Sequence, residues 1–145
     1  MEHYTPRNFF LTESVGFLLN KARNVITAEM DTALKEFGIT SQQMGILLAI
    51  HGRWASTPFE LSKLLAVDTG LMTRMLDKLE TKELLARSRS EEDRRVVNLA
   101  LTAKGIDVAA RLPANARKVL NARLGTFSPE EFEQLLALLR KFIGD

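Results

Sequence analysis

Four arginines and an aspartate crowd one short stretch of the chain: Arg87, Arg89, Asp93, Arg94 and Arg95. A guanidinium is a permanent cation with five donors in a rigid fork, so the chemistry it offers is recognition of carboxylate or phosphate, not proton transfer. Val97, Leu99 and Leu101 alternate with Val96, Asn98 and Ala100, the period of a half-buried strand, and Arg87 and Arg89 alternate in the same way on a partner strand. Ser90-Glu91-Glu92-Asp93 makes a polar tip between them. The expected division of labour has Asp93 hold one neighbouring arginine by a charge-assisted bond while another reaches outward. In a narrow DNA minor groove, an outward arginine reads width and negative potential. Just upstream, Leu71, Met75 and Leu79 follow one another by four, the buried stripe of a helix. The opposite side carries Thr69, Gly70, Thr73, Arg74 and Asp77, a small polar surface that fits a major groove.

These groups need two short helices and a hairpin to position them. Thr57 caps the first helix, Pro58 suits its first turn, and Glu60 is expected to complete a capping box. Leu61, Leu64 and Leu65 form its stripe, Val67-Asp68 marks a turn, and Asp68 caps the second helix. The stretch from Thr57 to Thr102 therefore reads as a winged helix-turn-helix. Thr69, Thr73 and Arg74 are the candidates for the major groove and Arg94 and Arg95 for the minor groove. Lys78, Arg87 and Arg89 are the candidates for phosphate.

Asp93-Arg94-Arg95, followed by Leu99-Ala100-Leu101-Thr102-Ala103-Lys104-Gly105, resembles the wing signature of the multiple antibiotic resistance regulator (MarR) family. Thr73-Arg74 and Leu76-Asp77-Lys78-Leu79-Glu80 resemble its recognition helix, and the order and lengths of the flanking helices also fit. The resemblance implies a mainly α fold with a small β-hairpin wing, a winged helix-turn-helix lobe plus a helical dimerisation region. It implies a ligand-responsive homodimeric repressor that binds a pseudo-palindromic double-stranded DNA operator. One residue departs: Glu83 stands where the family often has glycine, so the end of the recognition helix and the angle of the wing are expected to differ.

The formal net charge of the 145-residue chain is only +2, so any pull on nucleic acid must be local. Lys63, Arg74, Lys78, Lys82, Arg87, Arg89, Arg94 and Arg95 supply that locality. There is no cysteine, which excludes disulfides, thiolate metal sites and the thiol switch some members of the resembled family use. The amino terminus lacks a signal-peptide layout and no apolar run is long enough to span a bilayer, so a cytoplasmic protein without membrane contact is expected.

Along the flanks, Met1 to Asn8 reads as extended and Phe9 to Phe37 as one long helix stopped by Gly38. Thr40-Ser41-Gln42-Gln43 is a capping box that opens a helix running to Gly52. Thr102 caps a segment from Ala103 to Gly125, in which Pro113 is expected to bend or break the helix after Leu112. Ser128-Pro129-Glu130-Glu131 opens a last helix that is apolar over more than one face. Residues 9–37 and 103–143 are thus assigned to a dimerisation region, and 40–102 to the DNA-binding lobe.

Catalysis is not expected. His3 and His51 are the only histidines and belong to no constellation, no metal-ligand spacing exists, and no cofactor cradle is visible. The resembled family answers to phenolic and aromatic carboxylates. An effector pocket for a small aromatic acid is therefore placed at Phe17, Met44, His51 and Trp54, with Arg23 or Arg53 to meet the carboxylate. The alternative function is a winged-helix module that docks a protein partner through its apolar last helix. Salt discriminates the two, since phosphate contacts weaken steeply with ionic strength and an apolar dock does not.

Overall fold

The computed structural model describes residues 1–145. Six helices and one hairpin follow in the order α1 (Val15–Ala33), α2 (Ser41–His51), α3 (Pro58–Leu65), α4 (Thr69–Thr81), β1 (Leu85–Arg89), β2 (Val97–Leu101), α5 (Ala103–Arg123) and α6 (Pro129–Ile143). The strands pair antiparallel with Arg87 opposite Leu99 and Arg89 opposite Val97. Ser56 adds a rung on the far edge of β2, where its carbonyl accepts from the Leu99 amide at 2.8 Å. The fold is a winged helix-turn-helix lobe carried on longer helices.

One core holds the lobe together. Leu34, Ile46, Leu47, Leu61, Met72, Leu76, Leu79, Leu85 and Leu112 are fully buried, each worth about 1.5–3 kcal/mol of burial. The end of α1 and the first half of α5 contribute Met30, Leu34, Val108, Ala109 and Leu112 to this core, so they are anchored in the lobe itself.

Local chemistry sets most boundaries, and it corrects several expectations. The first helix does not run from Phe9. Ser14 caps it by accepting from the Phe17 amide, and short 3-10 turns at Leu11–Glu13 and Lys35–Phe37 stand at either end. Gly38, at φ 66°, supplies the expected stop. The amino terminus is folded back instead of extended: Asn8 closes a turn with Thr5, the Tyr4 hydroxyl accepts from the Val15 amide, and Tyr4 meets Phe9 edge-on at 5.6 Å. The capping boxes at Thr40/Gln43 and Ser128/Glu131 are complete. At Thr57 the box is not, because the Glu60 carboxylate accepts from the Thr57 hydroxyl and not from its backbone amide.

Pro113 does not break the helix: α5 is continuous through it. A forced proline costs a helix about 3 kcal/mol. Tertiary ties hold the helix together across it. Val108, Ala109 and Leu112 lie buried before it, and after it the Asn115 amide donates to the Ala33 carbonyl at 3.1 Å and to Glu36 at 2.8 Å. An Arg123–Glu29 ion pair pins the far end to α1.

The last helix is different. No residue of α6 is buried, and Leu138, Phe142 and Ile143 are 65%, 63% and 67% exposed. Phe9, Phe10 and Leu11 at the front of the chain are also exposed.

Candidate nucleic-acid interface

The lobe's three short helices end in the same way. Each closes a Schellman turn, in which one residue at the helix end is left-handed and two amides reach back to satisfy orphan carbonyls. Those residues are Arg53 (φ 61°), Ala66 (φ 51°) and Glu83 (φ 61°), none of them glycine. After α4, the Glu83 amide donates to Glu80 at 2.9 Å and the Leu84 amide to Leu79 at 3.0 Å. The helix thus ends at the left-handed turn a glycine would make, with Glu83 in the glycine's place. The buried pair Leu84 and Leu85 and the bond from the Thr102 hydroxyl to the Glu83 carbonyl hold the turn in a conformation its side chain disfavours.

Between these stops α4 presents a clean polarity. Met72, Met75, Leu76 and Leu79 face the core, while Thr69, Gly70, Thr73, Arg74, Asp77 and Lys78 face solvent. Asp68 caps the helix by accepting from the Leu71 amide at 2.9 Å. The Thr73 hydroxyl donates to the Thr69 carbonyl at 2.9 Å, which leaves its oxygen free to accept.

At the wing tip Asp93 holds Arg95 and not Arg94. Its carboxylate accepts from Arg95 Nε and Nη2, both at 3.1 Å, and from the Arg95 backbone amide at 3.0 Å. These bonds hold the Asp93 carboxyl below the usual carboxylate range and raise the Arg95 guanidinium. Arg89 donates to the Arg94 carbonyl at 2.8 Å, which buttresses the tip from β1. The Arg94 side chain has no ion pair or hydrogen bond of its own and stands exposed.

The eight cations named from the sequence thus divide. Arg87 bonds Asp77 and Glu80, and the Glu80 bond first and the Asp77 bond second raise its affinity for its proton. Lys63 lies over the Phe59 ring at 4.9 Å. Lys82 donates to the Gly38 carbonyl at 2.6 Å and to Gln43 at 3.0 Å; burial chiefly, and Lys78 beside it, lower its pKa. With Arg89 and Arg95 also engaged, Arg74, Lys78 and Arg94 are the cations without a partner in the chain. Sequence reasoning missed the Lys82–Gln43 tie, although a glutamine in a capping box so close to the core was a signal for it. It also missed the two acids that take Arg87, Asp77 and Glu80, whose three-residue spacing puts them on one helix face.

The six residues assigned to an effector pocket do not converge. Met44 packs against the core, and Phe17 is half-buried on α1. Arg23 lines a cleft with Thr27, Ser41, Gln42 and Leu65. His51 and Arg53 line a separate groove with Leu99 and Ile106, at the other end of α2. Trp54 is 75% exposed, folded over Gly52, where a Cβ would come within 2.5 Å of its ring. The spacing of the six in sequence spans the length of α2 and more, and a helix separates its ends.

Comparison with known proteins places this geometry. Residues 39–97 match the model of the MarR family. The HTH-type transcriptional repressor NicR of Pseudomonas putida is 32% identical over 92% of this chain and 84% of its own length. A mutant of MarR from E. coli, crystallised in complex with operator DNA, superposes with a TM-score of 0.83 at 27% identity, over 93% of this chain and 99% of that one. BpsR of Bordetella bronchiseptica, whose DNA binding is regulated by 6-hydroxynicotinic acid, shares the fold, with a TM-score of 0.83 at 24% identity over 94% and 98% of the two chains. The chain belongs to the MarR family: it is a MarR-type transcription regulator and not an enzyme.

Proposed function

We propose that the chain acts as a homodimeric repressor, two lobes straddling a pseudo-palindrome with half-sites about 34 Å apart. Residues 40–102 bind DNA and residues 9–37 and 103–143 dimerise. The observation that carries the reading is the distribution of free charge: Arg74 and Lys78 on the outer face of α4, Arg94 at the wing tip, and nearly every other nearby cation consumed inside the chain. Thr69, Thr73 and Arg74 serve the major groove, Lys78 a phosphate, and Arg94 the minor groove. Phosphate contacts position the protein and base contacts specify the sequence.

Dimerisation is supported by α6, which has no buried residue and leaves Leu138, Phe142 and Ile143 exposed, and repression by the likeness to NicR. A small aromatic or phenolic acid releases the operator by preferring the lobe spacing that does not fit it. BpsR, which shares this fold, has its DNA binding regulated by 6-hydroxynicotinic acid. The ligand site is formed with the second copy, since the single chain does not assemble the six residues.

The test is selection of duplexes from a random pool with the full-length protein, followed by binding measured against salt. A palindromic consensus with half-sites one turn apart and a steep salt dependence is expected. No enrichment at low salt would refute the reading. Thermal-shift screening with benzoate-like acids tests the effector, and no stabilisation by any of them would remove it.

A further inference from the structure

Arg87 lies opposite Leu99, the buried residue of β2, and Arg89 opposite Val97, so both side chains project from the face of the hairpin that covers the helices. Arg89 turns to the Arg94 carbonyl, and of the two only Arg87 reaches α4. What it meets there is a pair of acids. Arg87 Nε donates to Glu80 Oε2 at 2.7 Å and Nη2 to Asp77 Oδ1 at 2.6 Å. No other side-chain hydrogen bond or ion pair joins α4 to the hairpin.

Two physical consequences meet at this residue. The recognition helix and the wing tip must enter different grooves, so the angle between them decides whether both can engage at once. The hairpin leaves α4 through the strained turn at Glu83 and is tied back to the helix, on its polar side, by Arg87 alone. The second consequence is electrostatic. Asp77 sits one helical turn beyond Thr73 on the face that approaches DNA, where a bare carboxylate would oppose the phosphates.

We propose that Arg87 is a positioning residue for operator binding. It locks the wing to the recognition helix through Asp77 and Glu80, and it neutralises acid on the groove face instead of contacting phosphate itself. The proposal rests on the reading above that α4 and the wing tip bind DNA.

The test is a mutant cycle in the full-length protein: Arg87→Gln, Asp77→Asn with Glu80→Gln, and all three together. Each is measured on a duplex selected by the wild type and on a scrambled duplex, across a salt series, with a melting curve as the check on folding. Arg87→Gln should lose about tenfold in affinity for the selected duplex, within the range for coupled neighbours, with its preference over the scrambled duplex reduced. The slope of log affinity against log salt should stay unchanged. In the background without the acids, Arg87→Gln should cost little more. Loss of about 0.9 from the slope, the mark of one lost phosphate contact, together with an equal cost in both backgrounds, would overturn the proposal and make Arg87 a direct ligand. An Arg87→Gln protein that binds like wild type, while Arg94→Ala binds the selected duplex more weakly, would sink the positioning role alone. A wild type that binds no duplex would sink both readings.

Discussion

The lobe and the helical arms of this protein treat their apolar residues in opposite ways. In the lobe, leucines and methionines from α2, α3, α4 and β1 close one core, and every short helix ends in a satisfied turn. In the arms, Leu138, Phe142 and Ile143 of α6 and Phe9 to Leu11 at the front stay in solvent. Both regions have strong caps and regular helices, so secondary structure is not what separates them. The difference is that the lobe is complete within one chain and the arms are not. A helix with no buried residue and one broad apolar face gains stability from a second surface. The lobe, together with the end of α1 and the first half of α5 that complete its core, should therefore behave as an autonomous fold, and α6 with the amino-terminal segment as a device that couples two such folds.

The largest effect should come from breaking the arms. Leu138→Glu with Phe142→Glu removes from any seam two side chains whose burial is worth about 1.5–3 kcal/mol each and puts charge in their place. Sedimentation should show a monomer, and operator affinity should fall by about 10²–10⁴, the effective concentration lost when two sites are no longer linked. The near-ultraviolet signal of the lobe should persist. A double mutant that remains dimeric would erase the contrast drawn here.

Gly105 tests the lobe from the other side. A Cβ there would lie 2.0 Å from the Leu84 carbonyl oxygen, which is backbone and has little room to yield. Gly105→Ala should destabilise the lobe by about 1–3 kcal/mol, the range for overpacking, seen as a lower denaturant midpoint. Wild-type stability would mean that α5 can shift off the hairpin, and that the lobe is less closed than its core suggests.

Much of this was legible in the residues, and what was not has a physical cause. The caps at Thr40, Asp68, Thr102 and Ser128 are local, involving atoms within one turn, so spacing revealed them. The alternation at Val97, Leu99 and Leu101 revealed the strand. That α5 runs unbroken through Pro113 was not legible, because the helix is held by Asn115 and the buried Leu112, contacts across scores of residues that no local pattern carries. The cations misled in the same way. Arg87 and Arg94 are identical in type, and only the fold puts two carboxylates beside one and none beside the other. The six effector candidates shared chemistry but not location, and residue type alone cannot supply proximity.

The wing offers a finer contrast between two adjacent arginines. Arg94→Ala should weaken binding to a selected duplex by about 1–3 kcal/mol, the range for a specific DNA contact, and leave the melting curve unmoved. Arg95→Ala should act less strongly, through loss of order at the tip. The Asp93 carboxyl that holds Arg95 has its pKa lowered in the folded chain, so this order is present above the ordinary carboxylate range and is lost as pH falls through the depressed value. Amide exchange at the tip, followed down the acid range, reads it. Equal losses from the two alanine variants would mean that both side chains enter the groove.

The smallest expected effect tests whether the lobe's completeness has a cost. Glu83 occupies the left-handed region, where a side chain is disfavoured by roughly 1–2 kcal/mol. Glycine visits that region freely but adds entropy to the unfolded chain, which offsets part of the gain. Glu83→Gly should therefore stabilise the lobe by about 1 kcal/mol, read as a higher denaturant midpoint at unchanged slope. If the turn is as rigidly held as the Leu84 amide and the Thr102 hydroxyl imply, the wing angle is already set, and operator affinity should not change with the added stability. A variant that gains stability and loses affinity would show instead that the angle depends on the strain at Glu83, and that glycine lets the hairpin settle elsewhere.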